Sequence, residues 1–310
     1  MNKVLLNTYL DQLDMMIAAE LDVNARQTTR DLGARLSVSA STISSRIRKM
    51  VDSGAITFAV LCNPITLGFQ NTVVFGLRAT PAKSADVAAY LRGCRSVQML
   101  SLTAGRYDLL IYAVFRDNRE LINWITRLPD VTTAEGFTLL QVVRNSYMHP
   151  PGNRNSRVGP LPGRLDELDL KLIKELEASP RETIGNLESK TGIGRKKIAT
   201  KIKTLLDQRA IRVVSIVNPE VFGFALRAFV FLKVEVDRIV PVSRFLATDK
   251  RIGHVSIING RFNVMLHAGF SCPEDLSHFV GDELVCIPGI IDYEFLINTG
   301  PQHFRWRLLS

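Results

Sequence analysis

Thr42, Ser45, Arg46 and Lys49 fall at i, i+3, i+4 and i+7 in the stretch SASTISSRIRKM (39–50), and behind them Ile43, Ile47 and Met50 recur at i, i+4 and i+7. On a helix the first set makes a strip of short hydroxyls and cations, and the second makes a stripe that seeks a core. A strip of that kind suits the major groove of duplex DNA. Short hydroxyls let the backbone approach, an arginine such as Arg46 can reach a guanine edge with two bonds, and a lysine such as Lys49 can meet phosphate. Ser39 and Ser41 stand where the helix would begin, beside free backbone N–H groups that favour phosphate. The pattern returns 155 residues later in GIGRKKIATKIKTLLDQRA, with Arg195, Lys196, Lys197, Thr200, Lys201 and Lys203. That version has more charge and fewer short side chains. The first strip is therefore expected to read bases and the second to grip mainly backbone.

Such a helix needs supports. Leu10, Leu13, Ile17 and Leu21 share one face of a preceding helix, and Thr28 or Thr29 can N-cap a second helix through Leu36. Ser37-Val38-Ser39 is a three-residue turn into the strip, whose helix runs to Asp52 and meets Gly54 as its stop. Three short helices with a tight turn before the last predict a helix-turn-helix. ITFAVLCNP then reads as a strand. Farther on the periods alternate: strands at 72–79, 96–105, 107–115 and 135–144, helices at 84–93 and 119–128. That order, β-α-β-β-α-β, is the ferredoxin-like pattern.

The chain is written twice. LDQLD (10–14) returns as LDELD (165–169), and 18 of the 60 positions in 10–69 recur unchanged in 165–224, Arg26/Arg181, Ile43/Ile198 and Gly68-Phe69/Gly223-Phe224 among them. A domain-sized tandem duplication follows, too long in period for a solenoid. The fold class expected is α+β: two repeats, each a winged/helix-turn-helix three-helix unit followed by a ferredoxin-like βαββαβ domain of the dimeric α/β-barrel type. The boundaries are 1–60, 61–144, a linker at 145–164, 165–217, 218–304 and a basic tail at 305–310.

Bulk properties narrow the partners. The chain has 310 residues and a net charge of +9. Residues 144–164 carry four arginines and no acid, whereas 218–304 are net acidic. A basic balance placed near the linker favours a polyanion. The four cysteines, Cys62, Cys94, Cys272 and Cys286, form no CxxC pair, and the five histidines share no ligand spacing, so no metal is expected. No nucleotide-binding or hydrolase motif appears, and no cofactor is expected. The longest apolar runs are too short to cross a bilayer, and the start meets acid before any signal-like core; a cytoplasmic protein without membrane contact is the simplest reading.

Taken together, LDxLD, SASTISSRIRKMVDSGAI, NPxxxGF and SVQMLSLTAGRYDLLIYAVF resemble the Lrp/AsnC (feast/famine) family of regulators. The resemblance covers nearly the whole chain, in two units where an ordinary member has one. It implies double-stranded DNA as partner and a dimer or larger homo-oligomer whose ferredoxin-like parts pair sheet on sheet. It also implies a small-molecule effector, often an amino acid. The loop similar to the family's effector site is Gly105-Arg106-Tyr107-Asp108: glycine for close approach, arginine for a carboxylate, aspartate for an ammonium. The second unit has Gly260, Arg261, Phe262 and Asn263, and the loss of the anion at Asn263 weakens it as an ammonium site. Some proteins similar to the family decarboxylate sirohaem-type tetrapyrroles. That enzymatic alternative would draw on His254 and His267, whose counterparts in the first unit are Met99 and Tyr112; no catalytic residue is expected otherwise. A third alternative is a pure interaction module, with the second helix-turn-helix as a dimerisation arm.

Overall fold

The computed structural model describes residues 10–145, 165–305 and 308–309. The expected linker, apart from Asn145, and residues 306, 307 and 310 of the basic tail lie outside the described residues.

The first 60 residues build α1 (Gln12–Val23), α2 (Thr29–Leu36) and α3 (Ala40–Asp52), followed by β1 (Ile56–Cys62). The LDxLD motif explains where α1 starts. Asp11 accepts the Asp14 N–H at 2.9 Å, and the Asp14 carboxylate reaches back to the Asp11 N–H, closing a capping box. Thr28 caps α2 by accepting from Asp31 N–H, and Ser39 caps α3 by accepting from Thr42 N–H. Between α2 and α3 the chain turns at Ser37 in the left-handed region. The turn is so tight that a methyl on Gly33 would lie 2.5 Å from the Val38 carbonyl oxygen. Gly54, at φ +72°, follows the end of α3.

Next come β2 (Asn71–Ala79), α4 (Ser84–Gly93), β3 (Val97–Ala104), β4 (Leu109–Phe115), α5 (Asn118–Ile125) and β5 (Val131–Asn145). After residue 164 the same order returns: α6 (Glu167–Ala178), α7 (Ile184–Thr191), α8 (Arg195–Asp207) and β6 (Ile211–Val217). It continues with β7 (Leu226–Val234), α9 (Ile239–Leu246), β8 (Ile252–Asn259), β9 (Val264–Phe270), α10 (Pro273–His278) and β10 (Ile290–Asn298), and a short β11 (His303–Phe304) follows. The last helix of the second half is broken: α10 gives way to a π turn at Phe279–Glu283 and a 3₁₀ turn at Leu284–Cys286.

Two sheets organise these elements. β1 and β6 form an antiparallel ribbon from Ile56↔Val217 to Cys62↔Ile211, which joins the two helix triplets. Each triplet's core is completed by the other's strand: Val217 packs with Ile17, Ile43, Ile47 and Met50, and Val60 packs with Leu172, Ile198 and Ile202. The remaining strands run β10-β7-β9-β8-β5-β2-β4-β3-β11, and β10 also pairs with β3 through Ile297↔Ala104, closing an eight-stranded ring. The sheets pair as a barrel of the expected type, and the halves join at their edges. An open edge leaves a row of unpaired N–H and C=O groups; β5–β8 pairing removes one such row, and the short β10–β3 and β11–β3 pairings cover part of the other. Inside the ring lie Val74, Tyr107, Leu110, Phe137, Phe229, Phe231, Phe262, Met265 and Leu296. Outside, α4 and α9 cover the sheet with two further apolar cores.

Candidate nucleic-acid interface

α3 buries Ile43, Ile47 and Met50, as the spacing predicts. Its outer face is turned slightly from the expected one. Ser41, Ser44, Ser45, Arg48 and Lys49 are exposed, whereas Thr42 and Arg46 are half-buried against the rest of the unit. Arg46 is not free for a base edge. Its Nη1 sits 3.2 Å from both carboxylate oxygens of Asp14 and forms a short hydrogen bond to Asp11. Asp14 is only 5% exposed, and a carboxylate so placed needs a cation. The Asp14 backbone N–H and then Arg46 hold the Asp11 carboxyl below its ordinary range. Arg46 thus ties α3 to the start of α1.

The second triplet repeats the arrangement. Lys201 lies 2.6 Å from Asp166 and 3.1 Å from Asp169, and these two acids form the capping box of α6. Lys201 holds the Asp166 carboxyl down to about 2. Arg195 is paired with Glu188 at 2.6 Å, but 72% exposed, so that pair exchanges cheaply for phosphate. Lys196, Lys197, Thr200, Lys201 and Thr204 line an open groove of about 500 Å³. Among the described residues Arg48, Lys49, Lys196, Lys197 and Lys203 form no ion pair. Ser44 and Arg48 are missing from the sequence-based strip of α3. A helical wheel carried the signal: at about 100° per residue, Arg46 stands some 60° from the centre of the buried stripe, and Ser41, Ser45 and Arg48 stand opposite it.

Ser39 makes two hydroxyl contacts of 2.8 Å, to Ser41 and Thr42, besides its capping bond. Gly194, at the matching place, offers α8 no side-chain cap. The two reading helices therefore start differently: one from a hydroxyl cluster, the other from bare backbone.

Arg26 and Arg181, identical in the two halves, lock the triplets together. Arg26 donates to the Pro180 and Glu182 carbonyls at 3.0 Å each, and Arg181 donates to the Gln27 carbonyl at 2.8 Å while lying over the Phe58 ring. Burial pulls both guanidinium pKa values down from their ordinary value.

The two expected effector loops meet across the ring. Gly105 has φ +139°, and a methyl on it would lie 2.9 Å from Leu296 Cδ2; one on Gly260 would lie 2.7 Å from Phe137 Cδ1. Where a ligand was expected, each glycine instead admits the last strand of the other half. Asp108 is likewise engaged, accepting the Ala79 N–H at 2.9 Å, and Asn263 accepts from Val234 N–H and donates to its carbonyl. A carboxylate and an amide thus serve the matching strand position in the two halves. The charged side chains form a separate cluster. Arg261 reaches Glu135 at 3.1 Å and Glu294 at 2.8 Å, and Tyr107 hydrogen-bonds Glu135. Burial raises the Glu135 pKa, but the Tyr107 and Arg261 hydrogen bonds outweigh it and leave it below the ordinary value. Arg106 is half exposed, with one long contact of 3.7 Å to Glu135. Glu294 Oε1 is buried without a hydrogen-bond partner.

His254 and His267 are neighbours on β8 and β9, on the side of those strands that faces into the ring. His267 stacks on Phe229 at 4.6 Å. Burial lowers the His254 pKa to about 4 and, with Arg227 and His254 nearby, the His267 pKa to about 3. Both are neutral at neutral pH. No cluster of three metal-ligating side chains occurs among the described residues, and none of their helices is long and apolar enough to cross a membrane.

Comparisons with known proteins agree on the helix triplet. Residues 10–51 match the AsnC-type helix-turn-helix domain. The HTH-type transcriptional regulator Ptr1 of Methanocaldococcus jannaschii is 32% identical over 137 residues, which is 93% of that protein and 44% of this chain. An uncharacterized HTH-type transcriptional regulator of Pyrococcus horikoshii is 26% identical over 146 residues, 99% of its length and 46% of this chain. Among solved structures, the siroheme decarboxylase NirDL matches 93% of this chain and 91% of its own, with a TM-score of 0.69 and 15% identity. That likeness extends over both halves and concerns the fold alone.

Proposed function

The chain belongs to the Lrp/AsnC family of AsnC-type helix-turn-helix transcriptional regulators, and from that premise we propose that it is two such units in one chain, which bind an asymmetric stretch of duplex DNA. The units are 1–60 with 61–144 and 165–217 with 218–304, a basic linker (145–164) between them. Three things support the fusion: relatives that span under half of the chain, the recurring element order, and paired residues that do equal work, such as Asp14/Asp169 and Arg26/Arg181.

The observation that carries the DNA reading is the outer face of α3. Ser41, Ser44, Ser45, Arg48 and Lys49 are exposed on a capped helix held in place from behind by Arg46. In this reading α3 specifies sequence, with Arg48 as the base-reading cation. α8 grips phosphates through Lys196, Lys197 and Lys203, and Arg195 joins them by releasing Glu188. Unequal helices predict a site without two-fold symmetry. Selection of bound fragments from the host genome, followed by footprinting, tests this. One chain protecting a non-palindromic site supports it, and one chain centred on a perfect palindrome contradicts it.

An amino-acid-like effector is the second part of the proposal. Its carboxylate would face Arg106, the least committed guanidinium of the loop cluster, and its ammonium the unpartnered Glu294 Oε1. Asp108, occupied by Ala79 N–H, takes no part. Calorimetry with the twenty amino acids on the native chain and Arg106→Ala tests it; binding that survives the substitution places the site elsewhere. Self-association belongs to the same reading, with exposed Val236, Phe245 and Ile291 as contacts, and sedimentation measures it.

One observation favours a second reading. The adjacent, neutral His254 and His267 inside the ring suit a tetrapyrrole decarboxylase of the kind the fold also supports. Met99 and Tyr112 hold the matching places in the first half. Loss of a carboxyl group from added sirohaem, followed by absorbance and mass, would establish that reading.

A further inference from the structure

We propose that Glu177 is the receptor for residues 308–309 of this same chain, and that its occupancy straps the second helix triplet to the sheet of the first half. Glu177 stands in the last turn of α6 and is 5% exposed. A carboxylate there is doubly disfavoured, by burial and by the negative end of the helix dipole. Donors from two distant segments offset this. The Leu308 N–H lies 2.8 Å from Oε1 and the Leu309 N–H 3.2 Å from Oε2, while the Cys62 thiol at the end of β1 donates to Oε1 at 3.4 Å. Leu309 packs into the apolar core of the second triplet beside Leu172, Leu176 and Ile198. The pocket thus takes a peptide by two successive backbone N–H groups and one leucine.

The other end of the segment is fastened elsewhere. Thr299 N–H donates to the Leu102 carbonyl, His303 and Phe304 pair with Leu100 and Met99 on the outer edge of β3, and Arg305 N–H donates to the Gln98 carbonyl at 2.7 Å. The Arg305 guanidinium reaches the Arg92 carbonyl in the last turn of α4 at 2.8 Å. The segment is therefore anchored on the first half's sheet at 303–305 and on the second half's helices at 308–309. The first triplet has Asp22 at the matching position, one methylene shorter and more exposed. The strap thus acts on one helix triplet of the two. A change in the β3 edge, whether from a ligand or a neighbouring chain, would reach α8 before α3.

Hydrogen exchange tests this without DNA, so its outcome is independent of the DNA reading. The full-length chain is compared with Glu177→Gln, with a chain lacking residues 303–310, and with that shortened chain plus a synthetic peptide of residues 303–310. Exchange in the last turn of α6 is expected to quicken by about tenfold or more in both variants, with α1 unchanged. The peptide is expected to restore protection saturably, and to fail when Glu177→Ala is added to the shortened chain. Unchanged exchange in α6 after shortening, or loosening that the peptide does not reverse, would overturn the proposal.

Discussion

Gly33→Ala probes the geometry on which the DNA reading depends. The new methyl would lie 2.5 Å from the Val38 carbonyl oxygen and 3.3 Å from the Ala40 nitrogen, both backbone atoms of the turn into α3. Ordinary contact begins near 3.4 Å, so the carbonyl must retreat by about 0.9 Å. In isolation alanine would favour α2 by about 1 kcal/mol over glycine. Forcing a methyl into packed backbone costs about 1–3 kcal/mol. The net expectation is a loss of roughly 1 kcal/mol in stability and a shift of α3 by a good fraction of an ångström against α2. A shift of that size misaligns several contacts of about 1–3 kcal/mol each, so affinity for a selected DNA fragment should fall by about tenfold or more. Thermal melting and fluorescence anisotropy measure the two effects. The second half supplies the control: Glu188 already places a side chain at the matching position, and Glu188→Ala loses only an exposed pair with Arg195. It should change stability by less than about 0.5 kcal/mol. If Gly33→Ala melts at or above the native temperature and binds DNA normally, the tight α2–α3 turn does not set the position of α3.

Three further outcomes follow from named contacts. His254 and His267 are neutral in the folded chain, with pKa values lowered to about 4 and 3 from the ordinary 6.5. Their contribution to stability is therefore full above pH 6.5 and is lost as the pH falls toward 4; His254→Met with His267→Tyr, the residues of the first half, should flatten that slope in melts across the range. Asp108→Ala orphans the Ala79 N–H and should cost about 1–2 kcal/mol in a denaturation curve, whereas Asp108→Asn, which copies the second half, should cost little. Lys197→Ala should weaken all duplexes alike and lessen the salt dependence of binding by about one unit of slope; a change in base preference would reassign α8 as a reader.

Much of the helix triplet is legible in residue types because its causes are local. Ile43, Ile47 and Met50 mark the buried face of α3, and the paired LDxLD motifs become capping boxes. Arg46 shows the limit. A strip assembled from charge and spacing alone placed it outward, whereas the buried Asp14 behind it, 32 positions away in sequence, draws it inward. The strand order of each half is readable from alternating periods, whereas the closure of the ring is expected only from the family resemblance. Pairing of β5 with β8 and of β10 with β3 is made by backbone groups that every residue carries. The glycines of the two GR loops have a packing cause that spacing does not reveal: they admit Leu296 and Phe137. Glu177 left no trace in any motif, because its partners lie 115, 131 and 132 positions away.

The account turns on which face of α3 meets DNA. Footprinting and anisotropy on one selected genomic fragment, with Arg48→Ala beside Arg46→Ala, address that face directly. Arg48→Ala should relax the preference at one base position and reduce affinity by about tenfold or more. Arg46→Ala should lower thermal stability by releasing α3 from Asp11 and Asp14, and should weaken binding without changing which base is preferred. Base preference lost with Arg46 and kept without Arg48 would contradict the orientation of α3, and no binding of any duplex at low salt would contradict the regulator reading itself.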